Sequence, residues 1–230
     1  AKQSRKDISI SPYGDLDYRI HGQKVYIVSD GKETVVQVFG KHNVQNIHGA
    51  WLVCRQMGVE DETFLKAVST FQGASKRLQL LKKSAESSVY KDFAHSPSKL
   101  KATIEALKEF YPERELIASL ELHTYSSLNK AFLPQYKGCM DSADIPIVYF
   151  SHPALSLKRL PDLTAAAVRT AFSDDRLTIY NDSSLMREDF LRIDYRNKNL
   201  LLMSSGNFDG LDLEELAEKA LSDNSRFQIP

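Results

Sequence analysis

Asp92 and His95 stand three residues apart at the end of a short apolar run, directly before Ser96 and Pro97. The run predicts a strand and the segment after Pro97 an amphipathic helix. A carboxylate and an imidazole between a strand end and a helix N-terminus suit a phosphate or ribose. The helix dipole and free backbone N–H groups favour anions there, and the carboxylate can accept hydroxyls or hold a metal. The plainer reading is a βα turn in which Ser96 caps the helix and Pro97 opens it. A second constellation is Gly40, His42, Asn43 and Asn46, after the strand-like run Thr34–Val38. Asn43 and Asn46 would share one helical face, and paired carboxamides can donate and accept at once, as an adenine edge requires. Asparagines near a helix start also serve as caps.

Three further groups stand out. Arg77 follows the segment Phe71–Lys76 and suits a phosphate or ribose, or else is a solvated surface arginine. His123, with Thr124, Tyr125, Ser126 and Ser127, could hydrogen-bond a substrate or cap a helix beginning near Leu128. Ser204, Ser205, Gly206, Asn207 and the following residues to Gly210 could cradle a carboxylate with backbone N–H groups, or form an ordinary turn before a helix.

These residues need a scaffold, and the 230-residue chain is long enough to build one or two cores. The 30 basic residues balance the 30 acidic ones, so no bulk field points to nucleic acid or an anionic membrane. The two cysteines, Cys54 and Cys139, have no metal-ligand spacing, Cys54 falls in a helix expected to be buried, and no long apolar run is present. A reduced cytosolic protein is the expectation.

Strand signals near Asp17–Ile20, Lys24–Val28 and Thr34–Phe39 open the chain, with a hairpin at Asp30-Gly31. Helices are expected over Val44–Met57, stopped by Gly58, and Glu60–Thr70, with a boundary region at Phe71–Lys76. Beyond it strands near Leu78–Lys82, Ser87–Tyr90, Leu116–Leu120, Ile145–Phe150, Leu177–Ile179 and Leu200–Ser204 alternate with helices. The helices are expected at Pro97–Phe110, Leu128–Cys139, Leu163–Phe172, Leu185–Leu191 and Leu213–Leu221. Continuous apolar strands argue for a mainly parallel sheet covered on both faces. Asp92, His123, His152 and Asn207 would then fall on one rim, at the carboxyl ends of the strands where such sheets bind ligands.

Taken in order, these motifs resemble the Mur ligase family, ATP-dependent enzymes that build the peptide of cell-wall precursors. Gly40, His42, Asn43 and Asn46 match its Gly-x-His-Asn-x-x-Asn motif; Phe71, Gly73 and Arg77 match a Phe-x-Gly…Arg segment. Asp92, Phe93, Ala94, His95 and Pro97 match the motif that opens its C-terminal domain, with Lys91 in place of a first Asp and Ser96 in place of a second His. The run Leu200–Gly210 resembles the murein peptide ligase branch, which adds a recycled tripeptide, whereas Leu122-His123 is closer to the branch that adds L-alanine.

The resemblance implies an α/β fold: a Rossmann-like C-terminal domain with a mainly parallel sheet at 76–230, preceded at 1–75 by the β-rich and helical tail of a P-loop-type ATPase domain. It implies ATP contacts from His42, Asn43, Asn46, Arg77, Asp92 and His95, and substrate contacts from His123, Ser205, Gly206 and Asn207. It implies ATP and Mg²⁺ as cofactors and UDP-N-acetylmuramate with an amino acid or peptide as substrates, with no nucleic acid and no membrane insertion. The 230 residues contain no Gly-x-x-x-x-Gly-Lys-Ser/Thr phosphate loop, so the chain reads as part of such a ligase, inactive alone and with the Mg²⁺ ligands mostly elsewhere. The alternative is a non-catalytic α/β module that binds a nucleotide or peptide.

Overall fold

The computed structural model describes residues 10–74 and 77–222 and divides the chain into two compact units, Ala1–Gln72 and Gly73–Pro230. The expected boundary segment runs into Ser75 and Lys76, which lie outside the described residues.

In the first unit, β1 (Tyr18–His21), β2 (Lys24–Ser29) and β3 (Lys32–Val36) form an antiparallel meander. The β2–β3 turn is Asp30-Gly31, both with positive φ, which matches the twist of a two-residue hairpin. Val25, Ile27 and Val36 point inward. The third strand is shorter than expected, because Val38 and Phe39 are buried outside it as the chain turns at Gly40 (φ 88) into α1 (Lys41–Gln56). The helix therefore takes in His42 and Asn43, three residues ahead of the expected start. Val44, Ile47 and Trp51 form its buried stripe, and Gly58 (φ 81) ends it as expected. Trp51 stacks on Phe64 of α2 (Asp61–Val68), and its indole N–H donates to Asp61 at 2.7 Å. Cys54, expected in a buried helix, is half-buried on α1.

The second unit holds a six-stranded sheet in the order β4-β5-β9-β6-β7-β8. These strands are Gln79–Lys83, Ser88–Asp92, Lys198–Met203, Glu115–Leu122, Ile145–Phe150 and Thr178–Tyr180. Only β4 runs antiparallel, on the outer edge; all the other pairings are parallel. Helices α3 (Pro97–Phe110), α4 (His152–Leu157), α5 (Ala165–Phe172), α6 (Ser183–Arg192) and α7 (Leu213–Ser222) connect and cover the strands. One face packs Val89, Ile117, Ile147, Tyr149, Leu200 and Leu202 against Met186, Phe190 and Leu216 from α6 and α7. On α3 the buried stripe is Leu100, Ile104 and Leu107, spaced for one helical face.

Two expectations fail here. Leu128–Cys139 is not an α-helix but a series of turns with one 3-10 turn at Leu133–Tyr136. Pro134 removes a backbone donor and Gly138 takes a positive φ of 74, so the apolar spacing cannot be realised as regular helix. The short α4 was not foreseen; it starts at Ser151, whose hydroxyl accepts the Ala154 N–H, with Pro153 in its first turn.

Candidate functional site on the carboxyl rim of the sheet

Because β5, β9, β6 and β7 are parallel, their carboxyl ends share one rim, which collects Asp92, Ser204–Gly210, His123 and His152. Strand β9 is inserted between β5 and β6, so the chain leaves β5 and β9 toward different connections. The crevice expected at such a point is a cavity of about 250 Å³ lined by Lys91, Asp92, Phe93, Ser204–Phe208 and Glu214, among others. The structure thus brings Asp92 together with Ser205, Gly206 and Asn207. His123 packs directly beneath Gly206: a Cβ there would lie 2.6 Å from His123 Nδ1 and 2.8 Å from Glu121 Oε2.

Asp92 is already bonded. One carboxylate oxygen accepts the N–H of Leu78 and the other that of Ala94 at 2.6 Å, while its carbonyl accepts the Ser204 N–H at 3.0 Å. Asp92 therefore ties the chain entering β4 to the turn leaving β5, and it holds exposed Arg77, one residue before Leu78, at the same rim. His95 Nδ1 lies 2.8 Å from the Phe93 carbonyl and its ring meets Phe93 edge-on at 5.2 Å. Its own carbonyl accepts the Tyr136 hydroxyl. Ser96 occupies the N-cap of α3, but its side chain makes no cap hydrogen bond, so the turn is fixed by Asp92, Pro97 and the His95 carbonyl.

In the loop from Ser204 to Gly210 three backbone donors already have partners within the protein. The N–H groups at Gly206, Phe208 and Gly210 are committed to Ser204 Oγ (2.6 Å), Glu121 Oε2 (2.8 Å) and Asn207. The Asn207 carboxamide oxygen closes the turn rather than facing outward alone. Ser205 Oγ is enclosed and has no hydrogen-bond partner among the described residues. Phe208, Asp209 and Gly210 all take positive φ, a strained run anchored by Asp209, which accepts hydroxyls from Tyr149 at 3.0 Å and Ser151 at 2.8 Å. Burial, followed by the bond to Asp209, pushes the Tyr149 phenol up to about 12. Lys91, at the cavity wall, pairs with Glu214 of α7 at 2.5 Å. That bond draws the Glu214 carboxyl below its usual range.

His152, farther along the rim, meets Asp162 at 2.9 Å and Asn181 at 3.2 Å. Thr124 and Ser127 cap each other's backbone N–H across a turn, at 2.9 and 3.0 Å, so the capping reading holds without the helix. Glu121 was missed by sequence reading although it is 2 % exposed; a lone acid within Leu116–Leu122, an otherwise apolar strand apart from Ser119, was the available signal.

In the first unit Gly40 is the N-cap of α1, and no side chain caps it. Asn43 donates back to the Phe39 carbonyl at 2.9 Å, which fixes the turn and leaves its carboxamide oxygen uncommitted by that bond. Asn46 is exposed on the flank of α1, beyond the first turn, where a capping role has no geometry. It lines a shallow depression with Tyr13, Gly49 and Val53. His42 is half-buried in the first turn. Among the described residues no cluster of three or more His, Cys, Asp or Glu converges as a metal site would need, and no helix is long and apolar enough to cross a membrane.

The fold and rim define a Rossmann-like parallel sheet preceded by a β-rich and helical unit. The solved UDP-N-acetylmuramate–alanine ligase of Thermotoga maritima has a similar fold, with a TM-score of 0.61 at 14% identity over 90% of this chain and 43% of that one. By sequence the chain is 34% identical over 110 residues to the UDP-N-acetylmuramate–L-alanine ligase of Lactococcus lactis subsp. cremoris, covering 48% of this chain and 24% of that protein. It is 32% identical over 165 residues to the enzyme of the same name from Treponema pallidum, covering 64% of this chain and 34% of that protein. No protein-family model matches the chain. The chain is thus similar in sequence, over about half to two thirds of its length, to UDP-N-acetylmuramate–L-alanine ligases, and similar in fold to a solved one. It spans roughly a quarter to a third of the length of these curated relatives, by the 24% and 34% covered.

Proposed function

We propose that the chain is part of an ATP-dependent ligase that joins an amino acid or short peptide to UDP-N-acetylmuramate in the cytoplasm, for peptidoglycan synthesis or recycling. The first unit would be the tail of the ATP-binding domain and the second the C-terminal domain. The observation that carries this reading is the cavity at the β5–β9 crevice, where Asp92 and Ser205–Asn207 meet beside His123. ATP would supply the phosphoryl group that activates a carboxylate of the UDP-linked substrate as an acyl phosphate. The protein's part is positioning and exclusion of water.

The residues present fit ATP in part. Asn46 offers a donor and an acceptor to an adenine edge, Asn43 retains its acceptor, and Arg77 is an exposed cation beside the Asp92 clamp. His42 and His95 belong to the same proposed set. Among the described residues no group of three or more His, Cys, Asp or Glu is placed to hold Mg²⁺. Ser205 Oγ, the Asn207 side-chain amide and His123 would meet the amine-bearing substrate.

The test is Asn46→Asp in the product of the native reading frame, which keeps the shape but removes the donor. Adenine-over-guanine preference should fall by about 1–3 kcal/mol, as for bidentate base readout, while thermal stability stays unchanged. Unaltered ATP against GTP use would remove Asn46 from the site. A second reading, a non-catalytic binding module, is favoured by one observation: no phosphate loop occurs in these 230 residues.

A further inference from the structure

We infer that Glu121 is the positioning residue of the rim site: it touches no substrate but sets where Ser205 and Asn207 stand in the cavity. The inference rests on the reading of that cavity as the substrate side. Glu121 is the seventh residue of β6, and its carboxylate is buried at the strand's carboxyl end. A single oxygen, Oε2, accepts the Ser204 hydroxyl and the Phe208 N–H at 2.8 Å, so both feet of a five-residue arch stand on one atom. The Ser204 hydroxyl oxygen in turn accepts the Gly206 N–H at 2.6 Å, which bends the arch inward. The other oxygen, Oε1, lies 3.5 Å from His123 Nδ1, two residues on and just past the end of β6.

Gly206 has no room for a Cβ against these two side chains, so the arch rests directly on the Glu121–His123 pair. A buried carboxylate is costly to desolvate, and an apolar residue would serve packing as well. What an apolar residue lacks is a grip on Ser204 and Phe208 together. Without it the hydrogen bonds that remain on the strained pair Phe208 and Asp209 would, among those described, come from Tyr149 and Ser151 on the β7 side.

The experiment compares amide hydrogen exchange in the ¹⁵N-labelled chain and its Glu121→Gln and Glu121→Ala variants, with the β9 amide of Leu201 as internal reference. Replacing a charged acceptor with a neutral one should speed Phe208 exchange about fivefold in Glu121→Gln, and removing it more than tenfold in Glu121→Ala, with Leu201 changed less than twofold. The His123 ring resonances should move in both variants. If Glu121→Ala does not fold, Glu121→Gln decides alone. Phe208 exchange equal to the parent chain, or acceleration that Leu201 shares, would overturn the assignment and leave Glu121 a general fold contact. Titration with L-alanine and with a tripeptide separates this from the substrate reading. Loop-local exchange changes with no resonance shift from either compound would sink the cavity's substrate role, and with it the inference that Glu121 positions a substrate site.

Discussion

At the residue scale, Asp92 shows how a proposed site residue and a fold contact coincide in one side chain. Its two oxygens hold the N–H groups of Leu78 and Ala94. Asp92→Ala should therefore destabilise the second unit by about 1.5–3 kcal/mol, the range for hydrogen bonds to a charged group. A urea melt of the second unit's signals measures it, and a midpoint equal to the parent's would mean that these bonds contribute nothing. Tyr149 gives a pH prediction. Its phenol ionises near 12 in the folded chain, above its ordinary 10.0, because it is buried and donates to Asp209. A raised phenol favours the folded state fully below the unfolded value. That contribution disappears as pH rises from about 10 to about 12. Phenolate absorbance referenced to Tyr149→Phe should show a late-ionising group, and Asp209→Asn should bring it down. Ionisation near 10 in the otherwise intact chain would contradict the anchor. Asp92 and His95 could be named from spacing, because a strand end before a proline-opened helix is a local pattern. Glu121 could not be placed, because its partners Ser204 and Phe208 lie more than eighty residues away and the loop's fold decides what they bond.

At the element scale, strands and helices with strong periodicity were legible: Pro97–Phe110 and Ile145–Phe150 stand where apolar spacing put them. The stretch Leu128–Cys139 shows the limit, since its apolar spacing is met by turns that bury Leu128, Leu133 and Tyr136 without a helix. The start of α1 was misplaced because the positive φ of Gly40, not any capping side chain, sets it. Two glycines then predict opposite outcomes. Gly49 lies inside α1 with the Tyr13 ring 3.4 Å from where a Cβ would stand, which is ordinary contact. Gly49→Ala should stabilise the first unit by about 0.5–1 kcal/mol from helix propensity. Gly206→Ala instead drives a methyl into His123 and a Glu121 oxygen pinned by two bonds, and should cost about 1–3 kcal/mol as overpacking does. Paired thermal melts check both, and equal shifts of the same sign would refute the packing argument.

In the second unit, the parallel order and the insertion of β9 between β5 and β6 place Asp92 and Ser204–Phe208 at one crevice, a consequence of topology that no single segment announces. The net charge of zero leaves these 230 residues no bulk electrostatic attraction for an anionic ligand, so any recognition they contribute has to come from fixed polar groups. The most direct test is a coupled assay for ADP with the product of the native reading frame, supplied with ATP and Mg²⁺. ADP should form only when UDP-N-acetylmuramate is present together with L-alanine or the tripeptide, and the 230-residue chain alone should release no phosphate above buffer. ADP formation indifferent to UDP-N-acetylmuramate, or phosphate release by the isolated chain, would contradict the account.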